Sequence, residues 1–255
     1  MSESKHQSAY TSAEIMIAAA ARALAETRTV FVGVGLPNIV CNLARATVSP
    51  DLELIYESGI YGAHPARIPL SIGDPTLVTN ATSVVSMADL FGLYLQGGLI
   101  EVALLGGAQI DRYGNLNSSV IGNYQAPITR LPGSGGACEI ATNVQRTFII
   151  MHLKRRAFIE QLDFVTSPGH IKGGNSRQQL GLPGQGPQLV ITDKALFDFA
   201  NDEREMQLIS LHPSVTVEDV RAEVGWDLRL AANITTTPPP VDTELHYIRS
   251  ARPPA

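Results

Sequence analysis

Two stretches decide the fold: Thr29-Val-Phe-Val-Gly-Val34 running into Gly35-Leu-Pro-Asn38, and Leu52-Glu-Leu-Ile-Tyr56 running into Glu57-Ser-Gly59. Each opens with an apolar run of strand length, the first rich in β-branched residues, and each is then stopped by a glycine-containing turn. Pro37 suits the first turn of a helix, which the pattern carries to about Ala46. Upstream, Thr11 and Glu14 have capping-box spacing before an alanine-rich helix reaching about Glu26. The order helix, strand, turn, helix, strand predicts an α/β fold with a mostly parallel sheet covered on both faces.

The alternation continues downstream. Residues 60 to 82 are irregular, with Pro65, Pro69 and Pro75. Ser86 caps an expected helix from Met87 to about Gln96. Ile100-Glu-Val-Ala-Leu-Leu105 reads as a strand and runs into Gly106-Gly-Ala-Gln-Ile-Asp111. From Asp111 to Ala137 the chain is polar and glycine-rich, with Tyr113-Gly-Asn-Leu-Asn117 and Gly133-Ser-Gly-Gly-Ala137. A loop of that length in a compact domain is usually functional. Thr147 to Met151, Gln188 to Thr192 and Met206 to Ser210 are further strands, and Thr216 with Asp219 opens a late helix. The expected organisation is one domain over residues 1–255, with a core from 10 to 230. Residues 231–255, proline-rich between Thr235 and Pro240, are expected to form an extended C-terminal tail on the surface or on a partner.

Composition bounds the function. The chain has 255 residues, 44% hydrophobic and 17% charged, which is a globular composition. A net charge of −5 gives no support for nucleic acid or an anionic membrane as the main partner. Two cysteines, Cys41 and Cys138, make no disulfide framework and fit a reducing, cytoplasmic setting. Met1 to Ala9 is polar and lacks an apolar signal core. The apolar stretch Ile15 to Leu24, with Glu14 and Arg22 at its edges, is too short to span a bilayer.

Glu57 follows directly on a strand and precedes Ser58-Gly59, which places it at the C-terminal edge of the sheet, where open α/β folds bind ligands. A solvated loop glutamate would read the same way. Gly33-Val-Gly35 and Gly106-Gly-Ala108 follow strands, and Gly133-Ser-Gly-Gly-Ala137 lies in the long loop. Bare backbone N–H groups at such turns favour an anion, although glycines also simply make tight turns. Gly33-Val-Gly-Leu-Pro-Asn38 lacks the third glycine of a dinucleotide fingerprint. None of the six histidines pairs at metal-ligand spacing, so no metal is expected, and they read as surface or satisfied core residues. Lys154-Arg-Arg156 reads as solvated charge that could meet CoA or a partner chain, and Cys138, after a glycine loop, as a packed or inert thiol with a reactive one as the alternative. A Gly-x-Ser-x-Gly elbow and a Walker motif are both missing.

In order along the chain stand Gly33-Val-Gly-Leu-Pro37, Glu57-Ser-Gly59, Gly106-Gly-Ala-Gln-Ile-Asp111, Tyr113-Gly-Asn115, Gly133-Ser-Gly-Gly-Ala137, Lys154-Arg-Arg156, Val165-Thr-Ser-Pro-Gly169, Leu180-Gly-Leu-Pro-Gly184 and Gln188-Leu-Val-Ile-Thr-Asp193. The set resembles the β subunits of the glutaconate CoA-transferase family, which are class I CoA transferases, over roughly Gly33 to Val224. Any one motif is weak, and the ordered set is specific. The resemblance implies an open α/β/α sandwich of the ribose-isomerase and CoA-transferase type. It implies a homologous α subunit as partner, in an α/β heterodimer doubled to an α2β2 heterotetramer, with the active site between the chains. Coenzyme A is then a substrate, and no tightly bound cofactor is expected.

By the same resemblance Glu57 is the catalytic carboxylate, attacking an acyl-CoA to give a mixed anhydride and then a glutamyl-CoA thioester. Ser58 would hold that carboxylate ionised by a hydrogen bond. The expected substrate and CoA contacts are Gly35, Ser58, Gly59, Gly106, Gly107, Ala108, Gln109, Ser134, Gly135, Gly136 and Ala137. Relatives that decarboxylate CoA esters or open rings by hydrolysis replace the glutamate, so its presence favours transfer. Ile60-Tyr-Gly-Ala-His64 departs from the glutaconate enzyme, which bears on substrate choice. The alternatives are a CoA-ester hydrolase or C–C lyase, a non-catalytic scaffold subunit and, more weakly, a sugar-phosphate isomerase.

Overall fold

The structure is a computed structural model and describes residues 10–33, 35–65, 67 and 69–251. The expectations for Met1 to Ala9, Val34 and the last four residues therefore lie outside the described residues. In chain order the elements begin with α1 (Ser12–Arg22), β1 (Thr29–Phe31), α2 (Leu36–Thr47), β2 (Glu53–Ile55), β3 (Ile60–Tyr61), β4 (Ser83–Val84), α3 (Met87–Asp89) and β5 (Val102–Leu105). Two small hairpins follow, β6 (Gln109–Ile110) with β7 (Leu116–Asn117) and β8 (Val120–Gly122) with β9 (Pro127–Arg130). The second half carries α4 (Ala137–Asn143), β10 (Arg146–Ile150), α5 (Ser176–Gln179), β11 (Pro187–Ile191), β12 (Ala195–Asp198), β13 (Gln207–Leu211), α6 (Val217–Ala222), β14 (Arg229–Thr236) and α7 (Asp242–Ser250).

The main sheet has eight strands in the order β14-β13-β12-β11-β10-β5-β1-β2. All its pairings are parallel except the two that β12 makes, so β12 alone runs against the rest. The mostly parallel, two-faced α/β sheet expected from the sequence is the one observed. Side chains alternate across it as a pleated strand requires. Val30, Val32, Leu54 and Tyr56 face the cluster built with α1 and α2, while Phe31, Ile55 and Ala103 face Leu90, Leu95 and Ile140 on the other side. A further cluster, with Phe158, Phe197, Phe199 and Trp226, covers the β11–β13 end. Each large apolar side chain so buried contributes about 2 kcal/mol.

The helix starts follow from side-chain chemistry. At α1 the Thr11 N–H donates to Glu14 Oε2 at 2.7 Å and the Glu14 N–H returns to Thr11 Oγ1 at 3.2 Å. Thr216 and Asp219 repeat the device at α6. Ser86 caps α3 as expected, but the helix forecast to Gln96 does not continue as an α-helix. After Asp89 it widens into a π-helix, Leu90–Leu95, in which the Gln96 N–H reaches back to the Phe91 carbonyl at 3.0 Å. An α-helix turns residues five apart well away from each other; the wider turn lets both Leu90 and Leu95 be fully buried.

Two further expectations are corrected. The long polar region between Asp111 and Ala137 is not a bare loop, because β7 pairs back to β6 and β9 to β8. The chain beyond 230 is not an extended tail either. β14 crosses the proposed 230/231 boundary and pairs parallel to β13. α7 packs Ile248 fully into the α1–α2 cluster. It is pinned there by Arg22–Glu244 at 2.6 Å and Arg249–Glu14 at 2.9 Å. Among the described residues no helix is long and apolar enough to cross a membrane.

Candidate active site

Glu57 leaves β2 on a tight turn. The Gly59 N–H donates to the Tyr56 carbonyl at 3.0 Å, which makes Glu57 and Ser58 the two corner residues. Tyr56 and Ile60 exchange backbone hydrogen bonds at 2.9 and 3.3 Å and close the turn. Gly59 sits at φ +94°, and a Cβ there would run into the Val85 carbonyl, so both torsion and space demand glycine. Beneath the turn, the buried Tyr56 hydroxyl donates to Asn38 Oδ1 at 2.6 Å, and Asn42 Nδ2 donates to the same oxygen at 2.9 Å. Burial pushes the Tyr56 phenol up, so it stays a donor. The start of α2 is thereby fastened to the strand that presents Glu57.

The Glu57 side chain is half-buried, and among the described residues no N–H or O–H donates to its carboxylate. What lies against it is Gly136. A Cβ at Gly136 would fall 2.9 Å from Glu57 Oε1 and 2.7 Å from Phe91 Cζ. Gly136 has an ordinary φ of −79°. Glycine is needed there for space alone, and that space is filled by a carboxylate and an aromatic ring edge. Gly136 leads into α4, and its loop is held from behind. The Gly133 N–H donates to the Ser118 carbonyl and Ser118 Oγ to the Gly133 carbonyl, both at 2.9 Å.

The chain leaves β1 for β2 on one side and returns as β5 on the other, so the C-terminal ends of β1 and β5 flank a topological switch point. A Cβ on Gly33 would lie 3.6 Å from the Leu104 carbonyl, which shows how closely these two ends run. Gly106 emerges here, exposed, with Gly107 half-buried behind it. Gly35 is exposed at φ +79° at the start of α2.

The other expected contacts divide. Ala108 has its N–H taken by the Asn117 carbonyl at 2.8 Å. Gln109 is buried with both ends of its amide engaged, donating to Asp163 Oδ2 at 2.7 Å and accepting from Asn117 Nδ2 at 2.6 Å. These bonds make it a fold contact. Ser134 Oγ accepts from the Cys138 N–H at 3.1 Å and its carbonyl from the Ala137 N–H at 2.9 Å, so both residues close the turn into α4. Gly135 stands exposed at φ +49°. The hydrogen bond expected from Ser58 to Glu57 is absent: Ser58 Oγ is buried and has no partner among the described residues.

Cys138 is exposed rather than packed, whereas burial pushes the Cys41 thiol up. Lys154, Arg155 and Arg156 are exposed, with the Arg155 guanidinium on the Val224 carbonyl. His170 and His212 are core residues with Nε2 on the carbonyls of Pro187 and Thr192, but only His170 is satisfied: His212 Nδ1 is buried without a partner among the described residues. Among the described residues no three His, Cys, Asp or Glu side chains gather as metal ligands. Sequence reasoning missed Phe91. Its signal was available in Leu90-Phe-Gly-Leu-Tyr-Leu95, which is too apolar all round for a plain surface helix.

A cavity of 380 Å3 lies elsewhere, lined by His170, Arg177, Pro187, Phe199 and Arg204 among others. Pro187 opens β11, so this cavity is at the sheet edge opposite Glu57. Arg177, 5% exposed, donates to the carbonyls of Gly184, Pro168, Gly169, Ala141 and Thr142. Its hydrogen-bonding capacity is spent on the backbone, which marks it as a clasp between the 168–184 segment and the end of α4.

The family model described as Coenzyme A transferase matches residues 13–223. The β subunit of the 3-oxoadipate CoA-transferase of Pseudomonas knackmussii is 48% identical over 243 residues, covering 95% of this chain and 94% of its own. The β subunit of the glutaconate CoA-transferase of Acidaminococcus fermentans is 38% identical over 235 residues, 90% of this chain and 88% of its own. The crystal structure of that glutaconate coenzyme A-transferase superposes with a TM-score of 0.89 at 37% identity over 95% of each chain.

Proposed function

The chain belongs to the coenzyme A transferase family, and from that premise we propose that Glu57 is the carboxylate that carries the acyl group and then CoA. The enzyme moves CoA between an acyl-CoA and a carboxylic acid. The observation that supports Glu57 is its placement: a carboxylate on a glycine-locked turn at the strand's C-terminal edge, with no internal donor among the described residues and beside Gly136, where a side chain would collide with it. A carboxylate tied into the fold would be stabilised in its resting state and slow to attack.

In the proposed cycle a Glu57 oxygen attacks the thioester carbonyl, the C–S bond breaks, and CoA leaves as the thiolate. The thiolate attacks the Glu57 carbonyl of the mixed anhydride, expels the first acid as a carboxylate and leaves CoA on Glu57 as a thioester. A second carboxylate takes the CoA by the reverse steps. Each addition puts negative charge on a carbonyl oxygen and needs donors facing it. The exposed Gly106 and Gly135 backbones are positions from which this chain would contribute. We assign the main donors to a homologous α subunit, in an α2β2 assembly in the cytoplasm. The nearer relative's name makes an acid of the 3-oxoadipate type the first substrate to try.

The test is to co-express the chain with its α subunit, add acyl-CoA without acceptor, and weigh the intact chain and its peptides. The expected result is a CoA adduct on Glu57 that is absent in Glu57→Gln. Consumption of the same acyl-CoA with no adduct on wild-type protein would overturn transfer in favour of hydrolysis or C–C cleavage.

A further inference from the structure

We propose that Phe91 keeps water off the acyl-glutamyl intermediates and so sets the balance between CoA transfer and hydrolysis, an inference that rests on Glu57 being the nucleophile. Both intermediates on Glu57 are activated acyl groups, and water cleaves either one. Attack by water at the Glu57 carbonyl breaks the C–O bond of the anhydride or the C–S bond of the thioester. One proton of the water goes to the departing carboxylate or thiolate, and Glu57 returns as the free acid. The net reaction is then acyl-CoA plus water to acid plus CoA. A transferase must therefore exclude solvent from this carboxylate while both intermediates wait for their partners.

The structure puts an apolar group there. A Cβ added at Gly136 would fall 2.7 Å from Phe91 Cζ and 2.9 Å from Glu57 Oε1, so ring edge and carboxylate both border the space a side chain would take there. The ring offers no donor or acceptor with which to hold a water molecule. It is also held in place. Phe31 meets it edge-on at 5.8 Å and 66°, and the first and last residues of its π-helix, Leu90 and Leu95, are fully buried. The widened turn anchors these leucines in the core, and Phe91, on the same π-helix, reaches the space beside Gly136 that the Glu57 carboxylate also borders. The Val85 N–H, donating to the Gly59 carbonyl at 2.9 Å, ties the start of this segment to the same turn.

The experiment uses Phe91→Ala and Phe91→Leu in the co-expressed complex. CoA release is measured without acceptor, and CoA transfer with saturating acceptor. The expected result is a ratio of hydrolysis to transfer raised about tenfold in Phe91→Ala and about threefold in Phe91→Leu, with the Glu57 adduct still formed. An unchanged ratio in both variants overturns the proposal, even if both rates fall together as a merely structural role would make them. Should the alanine variant fail to fold, the leucine variant, which keeps an apolar side chain on the π-helix, decides alone. Absence of an adduct in the wild-type complex would instead refute the Glu57 reading.

Discussion

The helix α4 has a charged side chain at each end, and the two could hardly be treated more differently. At its start Glu57 lies against Gly136, half-exposed, with no donor from the fold among the described residues. At its finish Arg177 is buried and gives its N–H groups to five backbone carbonyls, two of them from α4 itself. The cavity is at the Arg177 end. Burial pulls that guanidinium down only to about 10, so it stays charged at neutral pH, with its hydrogen-bonding capacity used up. In the proposed reading, unspent bonding capacity at a strand end, rather than cavity volume or buried charge, marks the reactive edge.

The largest expected effect crosses the two ends. Glu57→Gln should lower turnover by at least about 10^3-fold and leave the thermal midpoint within a degree or two. Arg177→Met should do the reverse, costing about 3 kcal/mol of stability by stranding buried carbonyls while activity per folded molecule is retained. Urea titrations beside initial rates decide the matter. A stable but inactive Arg177→Met would erase the contrast.

A smaller effect sharpens it. Gly136→Ala introduces a methyl group between the carboxylate and the ring, which should slow adduct formation by about 10- to 100-fold through misplacement alone. Because the backbone there is ordinary and only two side-chain ends must give way, stability should fall by about 1–3 kcal/mol at most. If the melting temperature collapses instead, Gly136 belongs to the structural end of the comparison.

The smallest effect is in pH. Burial holds His170, at the Arg177 edge, down to about 4 from its usual 6.5. Between those values the unfolded chain binds a proton that the folded chain does not. Stability from this group is therefore complete above about 6.5 and is lost as the pH falls toward 4. His170→Gln should flatten the difference in urea midpoint between pH 7 and pH 4.5. An equal slope in both proteins would assign the effect to other groups.

What the sequence showed in advance was what is local. The strands ending at Tyr56 and Leu105, the caps at Thr11, Ser86 and Thr216, and the turn at Glu57 each rest on neighbours within a few residues. What it hid depends on distant partners. The π-helix exists because Leu90 and Leu95 share one core, and nothing in their spacing alone announces it. Gln109 looked free until Asp163, 54 residues on, claimed its amide. The approach of Phe91 to Gly136 joins two segments whose pairing no periodicity reports. The family resemblance pointed to Glu57, but the crowding of carboxylate and ring that leaves no room for a side chain at Gly136 is a three-dimensional fact.

The two ion pairs that hold α7 have a meaning in time as well as space. Glu14 and Arg22 are made first, and their partners Arg249 and Glu244 follow 235 and 222 residues later. Helix α1 thus leaves the ribosome long before it can be completed. A chain broken off anywhere between α1 and α7 keeps a carboxylate at Glu14, destined for burial, with its cation never made. Such fragments are flawed at α1 from the outset, which exposes them to proteolytic removal before they can compete for a partner.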